Sequence, residues 1–596
     1  MKFFKTLIAA TLGTILAFLI IFFLAIITIS SSSKEPEPYV QSNSVLKISL
    51  SGSLPSRPPS NPLDELFNRK QNDKASLQTL KENLSKAKTD TKISGIWLQI
   101  DVMTAGWANL EEAHQLISAF RDSSDKFVYA STNDIGFNEK GYYLATAADS
   151  IFSPPEAFFE FDGFYSQVMF LEGMFDKLGI NAEVTRHGKY KGAVEPFYRK
   201  DLSEENAYQL NQILEGVTNT FLTAVNKKTG LSIEKLNGLL NDKPHLTAEF
   251  AYRQHLIDSL MYDDQVENYI KTHIGISDSG TLTTVSNGRY AKVSASTAGL
   301  SQPSVTDKIA VIYANGPIAP DMDSNSPFDR DNYISASFIE NQLKQIRGDN
   351  NVKALVLRVN SPGGSGSTSD TIWRMLQETK KTIPVIVSMG HVAASGGYYI
   401  SMAADSIVAE PTTITGSIGV FATKFNAKQL FNDKLGITFD EVKSHEHADW
   451  LTSTRQLSPS EQKALQQYID AFYHTFITKA AKDRGMTADQ IDNIAQGRVW
   501  TGAAAQKQGL VDELGGLDRA LDIAAEKAGL KAYKVARYPK PKSFYEMLMG
   551  SASVEAQTLF PNSWFSNPIA EKVKTQLSLL KHHDALTLFP YEIKIE

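Results

Sequence analysis

Two tandem α/β units with mainly parallel sheets, preceded by one transmembrane helix, are the fold that this sequence of 596 residues predicts. Three observations lead there: an uncharged apolar run near the start, sequence blocks that return 256 residues later, and strand-like runs that alternate with helical ones. A chain this long exceeds what one hydrophobic core organises, so several domains are expected.

The apolar run is residues 7–29, "LIAATLGTILAFLIIFFLAIITI", with no charge over 23 residues. As a helix it is long enough to cross a hydrocarbon core of ~30 Å. A cleaved signal peptide would have a shorter apolar stretch and a small-residue exit, whereas the exit here reads "TISSSSKEPEP". An uncleaved anchor over residues 6–30 is therefore expected. Lys2 and Lys5 precede it, and Lys34 is followed by Glu35 and Glu37, a bias that leaves residues 1–5 in the cytoplasm and the bulk outside. The expected location is the inner (cytoplasmic) membrane, with a single pass and extracytoplasmic, periplasmic domains.

The duplication comes next, because self-similarity sets architecture before any motif does. "GYYLATAADSIFSPPEA" from Gly141 returns as "GYYISMAADSIVAEPTT" from Gly397. "FDKLGI" returns within "FNDKLGI", "ISGIWLQID" resembles "VKALVLRVN", and "LTAEFAYRQHLIDSL" resembles "WTGAAAQKQGLVDEL". Four blocks in one order at nearly constant offset indicate a duplicated domain. After a linker at 31–45, the units are placed at 46–283 and 307–545, with a second linker at 284–306, where "VSNGRYAKVSASTAGLSQPSVTD" is rich in Ser, Gly and Thr. A tail at 546–596 has no assigned role.

Within the second unit, "KIAVIYANG", "VKALVLRVN" and "IPVIVSMG" are short β-branched runs expected to be buried strands. "SASFIENQLKQIRGD" between the first two has helical periodicity. Alternation of this kind gives an α/β unit with a largely parallel sheet, whose sites lie where strands end and helices begin.

Two such strand ends are glycine-rich. "VNSPGGSGSTSD" leads into the helix-like "TIWRMLQETKK", so the N–H groups of Gly363 and Gly364 are candidate oxyanion donors. "GHVAASGGYYIS" puts Ser395 at a tight strand-to-helix turn with the N–H of Gly396 behind it, the setting of a nucleophile. Neither run has the Lys-Ser/Thr pair of a phosphate-binding P-loop. In the first unit Glu139 stands opposite Ser395 and "DVMTAGWAN" opposite "VNSPGGSGS", so only the second unit keeps the hydroxyl and the glycines.

A serine nucleophile needs a base. His391, His445 and His447 are candidates, and so are Lys189 and Lys191 in "RHGKYKGAVEPF" of the first unit, provided that burial lowers a lysine pKa toward neutrality. If that segment is a strand, Lys189 and Lys191 share a face. The absence of cysteine excludes disulfides, thiol catalysis and cysteine-ligated zinc, and fits an oxidising compartment. A net charge of −6 offers no basic field for nucleic acid.

Together, "NSPGGS", "HVAASGGYYIS", "TITGSIGVF" and "GRVWTGAAAQKQGLVDELGG" resemble the signal peptide peptidase A family, in its long two-domain bacterial form. The resemblance implies a ClpP/crotonase-like fold in both units and a serine endopeptidase with a Ser-Lys dyad. It assigns Ser395 as nucleophile, Lys191 as general base and Ser417 of "TGSIG" as the residue that orients the lysine. Gly192 stands where the family pattern has a small serine-like residue. No metal or organic cofactor is implied. The implied partners are peptide substrates (cleaved signal peptides and other apolar peptides), the membrane, and further copies in a homotetramer. Two other functions fit the same fold, a crotonase-like acyl-thioester enzyme and a non-enzymatic membrane scaffold, and on the residues alone Lys189 and His447 stay open as bases.

Overall fold

The computed structural model describes residues 37–58, 75–242, 244, 246–277, 279–301, 303–321 and 333–540, a few residues between 6 and 17, and the backbone of 586–588. The expected membrane span therefore lies almost wholly outside the described residues, among which no helix is long and apolar enough to cross a membrane. Most of the 546–596 tail lies outside them too.

The first repeat is built on strands β1 (Ser44–Gly52), β2 (Ile93–Met103), β3 (Phe127–Ser131), β4 (Ser150–Ser153), β5 (Ser259–Leu260) and β6 (Thr284–Ser286). They form one six-stranded sheet in the order β5-β4-β3-β2-β1-β6, and every pair in it is parallel. Parallel neighbours need crossovers, and helices supply them, as α1 (Leu77–Thr89) does between β1 and β2 and α2 (Trp107–Asp122) between β2 and β3. Ile48, Ile96, Leu98, Val128 and Ile151 fill the core between sheet and helices.

The second repeat repeats the plan. Strands β7 (Lys308–Asn315), β8 (Val352–Ser361) and β9 (Val385–Ala394) are the three buried runs read from the sequence, and helix α3 (Ala336–Arg347) lies between the first two. Strand β9 runs four residues past Gly390, the end of its apolar run, and so delivers the chain directly to Ser395. The sheet continues through β10 (Ile414–Gly416) and β11 (Val499–Thr501) on one side and β12 (Lys534–Tyr538) on the other. All pairs are parallel except β10 with β11.

The duplication is visible in side-chain detail. Tyr142 Oη donates to the Leu256 carbonyl, and Tyr398 Oη to the Leu510 carbonyl. Asp149 accepts from Val128 N and Asp405 from Val385 N; Asp258 accepts from Ile151 N and Asp512 from Ile407 N. Thr247 and Thr501 each cap a short helix through the side-chain oxygen.

Residues 284–306 are not the plain linker expected from their composition. Thr284–Ser286 pairs with β1, and Asn287–Ala291 is a short helix whose Tyr290 is fully buried. The Lys86 ammonium donates to the Tyr290 and Val293 carbonyls, which ties the segment to the first repeat. Hydrophilic composition marked the segment as a linker, but one buried tyrosine and a strand pairing override it.

A third, smaller sheet stitches the repeats together. Asn181–His187 of the first pairs antiparallel with Val420–Asn426 of the second, from His187 opposite Val420 to Asn181 opposite Asn426. Lys424 and Glu183 face each other there at 3.0 Å, both largely buried. Phe175, Val194 and Phe197 pack with Phe421 across the same seam. In this sheet the strand Leu586–Leu588 lies between Gly363–Ser365 and Val420–Asn426 and runs antiparallel to both.

Candidate active site

Ser395 follows β9 directly and is the N-cap residue of the helix Gly396–Ser401. Its backbone has φ +56° and ψ −113°, a region in which a residue with a side chain is strained. The strain is held by Ser395 N–H donating to the Gly416 carbonyl and by the Ser395 carbonyl accepting from Tyr399 N–H. The hydroxyl is thereby presented at the turn, and the residue is fully buried.

The antiparallel pairing of the third sheet explains how the first repeat reaches this point. His187 sits opposite Val420, so four residues onward from His187 and three residues back from Val420 bring Lys191 to Ser417. Residues 188–191 form a turn rather than a continuation of the strand, so the expected shared face of Lys189 and Lys191 does not exist. Lys189 is exposed, its ammonium over the Tyr190 ring at 5.2 Å, whereas Lys191 points inward and is 1% exposed.

Lys191 Nζ lies 2.7 Å from Ser395 Oγ, 3.0 Å from Ser417 Oγ and 3.0 Å from the Ser417 carbonyl oxygen. A neutral amine has two hydrogens and one lone pair. The two acceptors of Ser417 take the hydrogens, and the lone pair is left for the Ser395 hydroxyl proton. Burial without a compensating carboxylate pushes the Lys191 ammonium well below the ordinary lysine range, which is what the neutral form requires. Ser417 also has positive φ, +52°, and its N–H donates to the Arg498 carbonyl.

Glycines make the space. A Cβ on Gly497 would stand 2.6 Å from Lys191 N, and one on Gly419 3.2 Å from Lys191 Cδ. Gly192 departs from the family pattern for a local reason: a Cβ there would stand 2.6 Å from the Asn206 side chain, which donates to the buried Glu195 carboxylate. Glu195 also accepts from Ser203 N and Oγ. Glu195, Gly419 and Gly497 lie inside the quoted runs but were given no role there, and Asn206 lies outside every one of them.

The expected backbone donors are not equivalent. Gly363 already gives its N–H to Ser361 Oγ at 3.1 Å, which corrects its expected role as a free donor. Gly364, at φ +151°, belongs to the strand edge that pairs with residues 586–588. Gly396 is the first residue of the helix after Ser395, where N–H groups have no acceptor within the helix.

The histidines lie in other settings. His447 is exposed and its Nδ1 pairs with Glu461 at 3.1 Å, and His445 pairs with Ser444. His391 packs on Gly106, and burial pushes it down to about 4. In the first repeat Glu139 is buried and accepts from the N–H groups of Asp162 and Gly163, and desolvation pushes it up to about 8. At the position that corresponds to Ser395, the first repeat thus holds a carboxyl group bound by backbone amides.

The sequence pattern of peptidase family S49 matches residues 121–277 and 377–531, one match in each repeat, and that of Clp protease matches residues 329–413. The chain is 36% identical over 501 residues to the chloroplastic serine protease SPPA of Arabidopsis thaliana, covering 84% of this chain and 71% of that one. It is 34% identical to Protease 4 of Salmonella typhi, covering 80% of this chain and 76% of that one. A putative signal peptide peptidase SppA of Enterococcus faecium is 34% identical over 49% of this chain and 80% of its own length. Two matched repeats on two mainly parallel sheets, and this likeness over most of the chain, establish that the protein belongs to peptidase family S49 and is a serine peptidase.

Proposed function

We propose that the chain is a membrane-anchored Ser-Lys endopeptidase that degrades remnant signal peptides and other apolar peptides. Ser395 is the nucleophile, Lys191 the general base, and Ser417 holds the amine. The observation that carries this assignment is the 2.7 Å approach of a buried lysine amine to a buried serine hydroxyl at a strained turn.

In the reaction, neutral Lys191 takes the Ser395 proton as Oγ attacks the peptide carbonyl. The backbone N–H of Gly396, at the start of the helix, receives the developing oxyanion. As the C–N bond breaks, Lys191 returns the proton to the leaving amine and an acyl-enzyme remains. The same lysine then deprotonates water, which releases the second product and restores Ser395. No metal or organic cofactor enters.

Around this site the chain is organised as two ClpP/crotonase-like domains, one in each repeat. An anchor at 6–30 holds them on the extracytoplasmic side of the cytoplasmic membrane, and the assembly is a homotetramer. The apolar substrate class follows from the family likeness and from the anchor, which would keep the enzyme where such peptides are released. The experiment that tests the assignment is labelling with a serine-reactive phosphonate, followed by mapping of the modified residue. Modification at Ser395 is expected, and modification at any other residue overturns the assignment.

A further inference from the structure

Helix Glu204–Thr229 of the first repeat carries Gln209, which is 2% exposed and whose carboxamide is engaged at both its nitrogen and its oxygen. Its Nε2 donates to the Tyr190 carbonyl at 3.1 Å and to Asn206 Oδ1 at 2.9 Å. Its Oε1 accepts from Val499 N–H at 3.1 Å. One planar group thus joins the peptide unit immediately before Lys191 to strand β11 of the other repeat.

Strand β11 is the backing of the nucleophile. Val499 is paired with Gly416, whose carbonyl accepts from Ser395 N–H, and Arg498, the residue before Val499, accepts from Ser417 N–H. From Gln209, one path leads through Tyr190 to the lysine and another through Val499 and Gly416 to both serines. Tyr190 N–H in turn donates to the Gln496 carbonyl, so the turn that presents Lys191 is fixed to the second repeat on both sides.

We propose that Gln209 is a positioning residue for the reaction: it sets the distance between the lysine of one repeat and the serines of the other. This rests on the dyad assignment above. Glutamine suits the task because it is both donor and acceptor at one site, with the reach to bridge two backbone groups. A carboxylate loses both donations, and a hydrocarbon leaves Tyr190 O and Val499 N without this partner in a buried place.

Two variants test it, Gln209→Leu and Gln209→Glu, each assayed for kcat, KM, acid-limb midpoint and Tm. Gln209→Leu is expected to lower kcat by about 100-fold with KM changed little, as a misplacement on the order of 1 Å does. Gln209→Glu keeps the Val499 acceptor but adds a negative charge beside the lysine turn, which favours the ammonium form. Its acid limb should move to higher pH, and activity should recover in part at alkaline pH. A merely structural glutamine would lower Tm and leave the acid limb in place, and that result overturns the proposal. Unchanged kcat and unchanged pH profile in both variants also overturn it. If Gln209→Leu does not fold, the pH profile of Gln209→Glu decides. Loss of activity in Lys191→Ala alongside unaffected Gln209 variants rejects only this proposal, whereas an active Lys191→Ala rejects the dyad itself.

Discussion

Lys191 and Ser395 belong to different repeats, yet their reactive atoms are 2.7 Å apart in a site closed to solvent. The proposed dyad therefore reports on how the two repeats dock as well as on how each one folds. Lys191→Ala and Ser395→Ala should each lower kcat by on the order of 10⁴ or more while leaving the fold intact. Peptide hydrolysis and circular dichroism on the same samples check both halves of that statement.

Activity should fall on the acid side as Lys191 takes up a proton, because only the neutral amine can accept from Ser395. Burial lowers the lysine pKa, so the active form persists to well below the pH at which an ordinary lysine would be neutral. A rate profile that stays flat from mildly acidic to alkaline pH would remove Lys191 as the base.

The same burial makes Lys191 a cost to stability. The unfolded chain holds the lysine proton up to about the ordinary value of 10.5, while the folded chain gives it up at lower pH. Between those two values the unfolded state binds more protons, so stability rises with pH across the window and falls as pH drops through it. Lys191→Met removes the term. It should be inactive yet more heat-stable near neutral pH, by roughly 2 to 4 °C per kcal/mol recovered, and the gain should shrink toward alkaline pH.

Gly497 combines a positive φ of +77° with close contact to the Lys191 backbone. Gly497→Ala adds left-handed strain of about 1–2 kcal/mol and pushes the lysine turn away from Ser417. Lower Tm together with a kcat loss of about 100-fold is expected, measured by thermal unfolding and steady-state kinetics.

A buried ion pair crosses the seam elsewhere: Arg358 of the second repeat donates to Glu112 of the first at 2.6 Å and is itself 1% exposed. Removing the carboxylate in Glu112→Ala leaves a guanidinium buried without its counter-charge, at a cost of about 3–5 kcal/mol. Chemical unfolding should show this loss. A variant as stable as the parent would mean that the seam relaxes to let water reach Arg358.

The strand Leu586–Leu588 is paired on both edges, with Gly363–Ser365 on one side and Phe421 on the other. An extended peptide that adds to Gly363–Ser365 needs that same edge. Thr587→Pro removes an N–H from the strand and blocks its ladder, so KM for an added peptide should fall several-fold with kcat retained. An unchanged KM would show that substrates bind along another edge.

Much of this site was legible in the sequence because its members sit in short runs with a mechanical reason. Ser395 lies between a strand and two glycines, Ser417 in a glycine-flanked turn, and Lys191 in a segment that the second repeat does not retain. What stayed hidden depends on distance in space. Gln209 is one polar residue of a long helix, and nothing in its neighbours says that its carboxamide reaches Tyr190 and Val499. Gly363 looked like a free donor until the Ser361 hydroxyl was found beneath it. The choice between Lys189 and Lys191 turned on a strand that ends at His187, a boundary that alternation alone does not mark.

The sharing of one dyad between two halves also orders events in time. As the chain is made, the first repeat emerges with a lysine that has nothing to activate, and the serine arrives about two hundred positions later. On the proposed assignment a partly synthesised chain is chemically silent, and so is a finished one whose halves have not met. Proteolytic competence begins as a single late step, at the moment when the seam closes over Lys191.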